Sequence, residues 1–487
     1  RLMSFRMSMQ DPSTIISRRR WLQTTGCGMG SLAMAGLLQQ TGDLNAAPAA
    51  GNELPLAARP PHFAPRAKRV IHLFMNGGPS QMDTFDPKPE LQRLNGQRLP
   101  KSVRDQLQLT QRKRVGTIFG SPFQFRKHGE SGLPISELFP HVAQHADDLC
   151  VVRSMQGEIA NHSPGLLLTN CGHSTLARPS LGSWLLYGLG NESEDLPGFV
   201  VLCPSGMPTA QSRNWTSAFL PGIYQGNYIL TEKREKELIP NLTSKQTSPG
   251  KQLAQVALTQ FLNRQHRAQR PGDERLENRI HAMELAFRMQ TAATDVFDLG
   301  QEPQYIRDMY GDTTQGRNML LARRLVERGV RYVQCFHGDR QPWDSHGKLV
   351  PRLTQLAQES DQPIAALLTD LKQRGLLEDT LVIWGGEMGR TPTVQTGNTN
   401  INSVGRDHHI DGYTIWMAGG GFRGGMTYGK TDDLAMHVEE NPVQLHDLHA
   451  TILHQMGFDH ERLTYHYAGR DYRLTDVHGK VIKELLA

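Results

Sequence analysis

Short, unbroken apolar runs recur along this chain with amphipathic stretches between them, and that alternation limits the fold more than any other feature of the sequence. Val70-Ile71-His72-Leu73-Phe74-Met75, Leu149-Cys150-Val151-Val152, Phe199-Val200-Val201-Leu202, Val330 to Phe336, Thr380-Leu381-Val382-Ile383-Trp384 and Tyr413 to Ala418 each read as a strand buried on both faces. Arg317 to Arg328 is an amphipathic helix. Ile364, Leu367, Leu368 and Leu371 recur at helical spacing before Gly375, and Pro442 to Met456 is a helix that stops at Gly457. Strands that are apolar on both sides need helices over both faces. The expected fold is therefore α/β, a three-layer sandwich around a mainly parallel central sheet. A hydrophobic content of 38% supplies a core for it. Residues 205–303 interrupt the alternation and are expected to form an insertion or cap, charged and helical in pattern from Lys251 to Gln290.

The N-terminal segment has a different character. Ser17-Arg18-Arg19-Arg20-Trp21-Leu22-Gln23 resembles a twin-arginine export signal, with Trp21 and Gln23 where Phe and Lys are usual. An apolar run from Gly26 to Leu38 follows, then the small residues Ala46-Ala47-Pro48-Ala49-Ala50 that suit a signal peptidase. The run is too short and Gly-rich to hold a bilayer as a spanning helix. Cys27 stands at the start of the run and not at its end, which argues against lipidation. The expected organisation is a signal peptide and start of linker over 1–49, a Pro/Ala-rich linker over 50–68 and one folded domain over 69–487. Such a protein meets the twin-arginine translocase and ends in the periplasm or outside the cell. The net charge of +5 is mild, and no basic face interleaved with aromatics points to nucleic acid. Cys150, Cys171, Cys203 and Cys335 follow the leader without zinc-type spacing. The first and last lie in strands as buried thiols, while a Cys171–Cys203 disulfide stays open.

Ligands of a parallel sheet bind beyond the carboxyl ends of its strands, so those ends are where chemistry is sought. Asn76-Gly77-Gly78-Pro79 follows the first strand. His337, Asp339 and Asp344-Ser345-His346 follow the Cys335 strand, and Gly385-Gly386-Glu387-Met388-Gly389-Arg390 follows the Trp384 strand. Arg406-Asp407-His408-His409 stands just before the Tyr413 strand. Singly, each has an ordinary reading: a loop hydrogen-bond pair, a solvated turn, a charge at a helix start. Together they gather carboxylates and imidazoles at one sheet edge, as a divalent metal or anion site requires.

Met75 through Pro89, Trp384 through Pro392, Gly405 through His409 and Asn441 through Thr451 resemble motifs of the domain-of-unknown-function family 1501, from about Arg69 to the C-terminus. That family is in turn similar to the alkaline phosphatase and sulfatase superfamily, which implies an alkaline-phosphatase-like sandwich with a two-metal site. Carried over, the resemblance implies one metal on Asp344, His346 and either His408 or His409, with His409 favoured. The second site maps to Asn76, Glu387 and Met388, an altered set, because amide and thioether groups are poor ligands for hard cations. Where sulfatases carry their nucleophile this chain has His162-Ser163-Pro164. His162 is then a further metal ligand or a hydrogen-bonding loop residue. The attacker is a metal-activated water or, as the alternative, Ser163.

Arg390 is a candidate for gripping an anionic substrate group, with pairing to Glu387 or a nearby Asp as its other reading. His446 and His449 share a helix face and are expected to make structural hydrogen bonds. Trp215 is a candidate pocket wall. These features point to a secreted hydrolase of sulfate or phosphate esters, acting on a small molecule or glycan with zinc, calcium or magnesium. The alternatives are a non-catalytic binding or scaffold protein of the same fold, and an isomerase or mutase using a phosphorylated Ser163.

Overall fold

The computed structural model describes residues 56–105, 114–232, 248–270, 273–395 and 403–487; the leader lies outside them. Thr243–Ile280 separates from the main body as part of a second compact unit, within which Pro249–Ala268 is helical. The remainder of the 205–303 stretch belongs to the main unit, Pro55–Leu242 with His281–Ala487.

The strands of the main unit used below are β1 (Arg69–Phe74), β2 (Val115–Ile118), β3 (Leu149–Gln156), β4 (Phe199–Cys203), β5 (Asn227–Leu230) and β6 (Tyr332–Phe336). They continue as β7 (Thr380–Gly385), β8 (Gly389–Gln395), β9 (Arg406–His409), β10 (Tyr413–Ala418), β11 (Met426–Tyr428) and β12 (Val443–Gln444). The helices are α1 (His162–Cys171), α2 (Leu181–Leu189), α3 (Thr314–Glu327), α4 (Leu349–Gln373) and α5 (Leu445–Gln455).

Nine strands form the central sheet in the order β11-β3-β10-β7-β1-β6-β4-β5, with β12 also on β3. Every pairing in it is parallel except those of β10, which runs antiparallel to both β3 and β7. The period of two in β1 divides the core. Ile71 and Leu73 point into an apolar layer with Leu321 and Leu325 of α3 and Leu353 and Leu367 of α4. Val70 and Phe74 point the other way, among Leu185 of α2, Leu166 of α1 and Ile452 of α5. Helices thus cover both faces, and the three-layer sandwich is the fold observed.

A second, smaller sheet of order β9-β8-β2 is antiparallel throughout. Its register sets His408 across from Arg390 and His409 across from Gly389.

Residues 56–68 are bound to the body. Arg59 N–H donates to Leu189 O at 2.8 Å, His62 N–H to Gly457 O at 2.9 Å and Ala67 N–H to Gln455 O at 2.9 Å. From Leu56 on the chain is therefore seated against the folded unit and not free as a linker. Cys150, Cys171, Cys203 and Cys335 are all free and buried, so the Cys171–Cys203 bridge does not form. No described helix is long and apolar enough to cross a membrane.

Candidate metal centre

Three segments from distant parts of the chain meet at the carboxyl edge of the sheet. His162 opens α1, Asp344 and His346 sit on the loop after β6, and His408 comes from β9. One ligand atom from each of the four lies within 4.8 Å of the others, and all four residues are half-buried. The β9 segment reaches this edge because β10 runs antiparallel: the start of β10 lies where its parallel neighbours end.

The glycines of the first loop make the approach possible. Gly77 has φ +114°, and a Cβ there would stand 2.5 Å from the backbone N of Asp344. Its N–H donates to both Glu387 carboxylate oxygens at 3.1 Å. Gly78, at φ +76°, packs equally close to Met388 O.

Each imidazole is fixed through its Nδ1. His162 Nδ1 donates to Glu387 Oε1 at 2.7 Å, His408 Nδ1 to Ala160 O at 3.1 Å, and His346 Nδ1 to Gln395 Oε1 at 2.5 Å. In the neutral ring a protonated Nδ1 leaves Nε2 as a lone pair. All three Nε2 atoms then face Asp344. His346 Nε2 is 3.0 Å and His408 Nε2 3.2 Å from Oδ1, and His162 Nε2 is 3.2 Å from Oδ2 without the alignment of a hydrogen bond. The Nε2 atoms of His346 and His408 are only 3.1 Å apart. Lone pairs so converged need a cation among them, either protons or a metal ion.

With protons alone the charge gathers on His162. Burial opposes it, but the nearness of the Asp344 carboxylate and the hydrogen bond to Glu387 prevail and raise its pKa to about 9. Burial, with Arg390 and His162 nearby, lowers the pKa of His408. Asp344 is also desolvated, yet its three imidazoles and Arg390 hold its carboxyl far below the usual carboxylate range. The donor set fits a divalent ion, since outer acceptors on ligating imidazoles fix tautomer and ring direction in metal sites.

The geometry redistributes several expected roles. His408, not His409, faces the centre, because adjacent residues of a strand point to opposite sides. His409 is fully buried with its Nε2 2.9 Å from Met436 O. Asn76 is not brought in as a ligand: its Nδ2 donates to Gly338 O at 3.0 Å and Arg340 O at 2.6 Å, and its Oδ1 accepts from His337 N–H. Glu387 stands behind His162, holding the ring and the Gly77 loop. Met388 is buried against Gly78, so the second ligand set does not assemble.

Arg390 is fully buried and turned inward. It donates to Gly77 O, to Gly78 O at 2.9 Å and to Asp344 Oδ1 at 2.7 Å, so its guanidinium is committed to the first loop and to Asp344. Ser163 is half-buried at the edge of the centre, its Oγ accepting from Arg213 at 3.3 Å. Trp215 is buried in a stack on Tyr228 with centroids 5.7 Å apart. His446 and His449 pair with Gly172 O and Thr169 O, structural hydrogen bonds as expected.

Sequence reasoning missed the outer acceptors Gln395 and Ala160, which carry no chemical signature. It also missed the buried pair of Arg406 with Asp83, at 2.8 and 3.1 Å, which ties β9 to the first loop. Both of those residues lie in the quoted motifs, and a charge within a strand next to His408 was the available signal.

The family described as "Protein of unknown function (DUF1501)" matches residues 67–486. No curated protein matches the sequence. Among solved structures, the PsFucS1 sulfatase from Pseudoalteromonas sp. is similar at 12% identity, covering 90% of this chain and 72% of that one, with a TM-score of 0.35. The lipoteichoic acid synthase LtaP from Listeria monocytogenes aligns at 9% identity over 86% and 78% of the two chains, TM-score 0.34. Alkaline phosphatase from the Antarctic bacterium TAB5 aligns at 12% identity over 73% and 92%, TM-score 0.30.

Proposed function

We propose that this chain, which belongs to the family described as "Protein of unknown function (DUF1501)", is an exported metal-dependent hydrolase of sulfate or phosphate esters. The observation that carries the reading is the convergence of three Nδ1-anchored imidazoles on one carboxylate at the sheet edge. His162, Asp344, His346 and His408 would hold one divalent ion. Three imidazoles and a single carboxylate favour zinc over calcium or magnesium, which prefer oxygen ligands. A bound ion supplies Lewis acidity toward an ester oxygen and lowers the pKa of water to about 7 in favourable sites.

The chain's own residues do the remaining work. Glu387 keeps the His162 proton on Nδ1, so that Nε2 stays available as a donor pair. Arg390 holds Asp344 ionised and fixed in direction. Ser163 Oγ is the alternative nucleophile, beside His162. The leader, in this reading, sends the folded protein through the twin-arginine translocase, so a metal chosen in the cytoplasm travels with it to the periplasm or beyond.

A non-catalytic binding protein of the same fold is the rival reading, favoured by Asn76 and Glu387 being committed to internal bonds. Elemental analysis of protein purified without chelator is expected to find about one divalent ion per chain, lost in Asp344→Ala/His346→Ala. Metal-free wild-type protein sinks the proposal. Turnover of aryl sulfates or aryl phosphates separates enzyme from binder.

A further inference from the structure

An open cleft of about 680 Å³ lies between the 207–213 loop and the 339–340 loop, lined by Arg213, Arg340, Gln211 and Asp339. The two loops are tied to each other and to the loop after β1. Pro208 bridges Arg340, and the Arg340 carbonyl accepts from Asn76 on the loop after β1. Arg213 is exposed, but its backbone is not loosely held. The next residue, Asn214, is fully buried and its amide donates to Thr209 O and Gln211 O, both at 2.9 Å. The Cys171 thiol of α1 meets Arg213 O at 3.4 Å.

From that braced loop the guanidinium reaches Ser163 Oγ, one residue from the cluster ligand His162. Among the described residues Arg213 makes no ion pair. The one carboxylate lining the cleft, Asp339, has Arg340 as its neighbour at 3.9 Å. Ala210 and Gln211, neither a glycine, both hold left-handed backbone at φ +67° and +50°, the conformation that turns this loop toward the cleft.

We infer that Arg213 is the anion-recognising residue of this protein, binding the non-reacting oxygens of a sulfate or phosphate ester where the cleft wall meets Ser163, one residue from His162. This rests on the hydrolase reading above and assigns to Arg213 the role that the sequence pattern suggested for Arg390. A guanidinium fork on a braced loop matches a tetrahedral oxyanion, and one that makes no ion pair among the described residues has none to give up when it binds.

The test is calorimetric titration of the full chain with inorganic sulfate and, separately, inorganic phosphate, alongside elemental analysis. The comparison set is wild type, Arg213→Gln and Arg213→Lys. Arg213→Gln is expected to leave metal content unchanged and to weaken anion binding by about tenfold or more, with Arg213→Lys recovering part of the loss. The preferred anion tells which ester class the cleft takes. Equal affinity in wild type and Arg213→Gln overturns the assignment, as does a wild type that takes up neither anion. Metal-free wild type in which anion binding still depends on Arg213 overturns the metal reading and upholds this one.

Discussion

Arg323 and Asp344 each stand at the middle of a charged group in the main unit, and the two groups account for their electron pairs differently. Arg323, on α3, lies 2.7 Å from Glu302, 2.5 Å from Glu327 and 2.8 Å from Asp370. Arg324 pairs with Glu302, and Arg374 pairs with Asp370 at 2.7 Å and Glu327 at 2.9 Å. Guanidiniums and carboxylates alternate there, so each charge has an opposite one beside it. Around Asp344 three nitrogen lone pairs and a carboxylate face one another, with Arg390 as the guanidinium paired to it among the described residues. Charges that pair off within the group hold helices together, whereas converging lone pairs are the arrangement on which the metal proposal rests.

The contrast can be broken most sharply at β9. His408→Ala is expected to lower metal affinity by more than about 100-fold, since even outer partners of a metal site cost 10–100-fold. His409→Ala is expected to leave metal content unchanged, because its ring faces Met436. Equal metal loss in both variants, by elemental analysis, would erase the assignment of faces.

Arg323→Met probes the other group. It removes one of the guanidiniums that hold buried Glu302 and Asp370 and leaves Arg324 and Arg374 beside them, so a loss of about 1.5–3 kcal/mol in urea denaturation is expected. Metal stoichiometry of the folded protein should stay as it was. A metal loss accompanying a small stability change would mean that the two groups are not separate.

A smaller effect concerns imidazoles that belong to neither group. His72 and His449 are buried and neutral. Burial first, then a neighbouring imidazole, lowers their pKa values to about 3 and about 4. Below pH 6.5 the unfolded chain takes up protons at these positions while the folded one does not. Stability is therefore lost as pH falls, by about 1.4 kcal/mol per unit for each histidine, until the folded values are reached. Denaturation midpoints at pH 7, 6 and 5 should fall in step, and His449→Gln should flatten the slope. An unchanged slope in that variant would count against its buried neutral state.

How much of this was legible depended on the kind of signal. Strands apolar on both faces, such as Val70–Phe74 and Leu381–Trp384, are visible because burial on two sides leaves no polar alternation. The polar strands β8 and β9 read as loops, because Arg390, Asp407, His408 and His409 carry none of the apolar content by which a strand is recognised. The direction of β10 was equally hidden, since an apolar run has the same composition read either way.

The sequence by itself determined the layered α/β fold, the family motifs and the residue types that gather at one sheet edge, because burial and strand-end chemistry are local properties of the chain. Only the tertiary structure decided that His408 and not His409 turns inward, that Arg390 is sealed behind Asp344, and that Arg213 faces the cleft. Each of those outcomes follows from register and from packing between segments far apart in the chain. Side-chain direction and burial at such a meeting point are set by the partners that arrive, not by the residue alone.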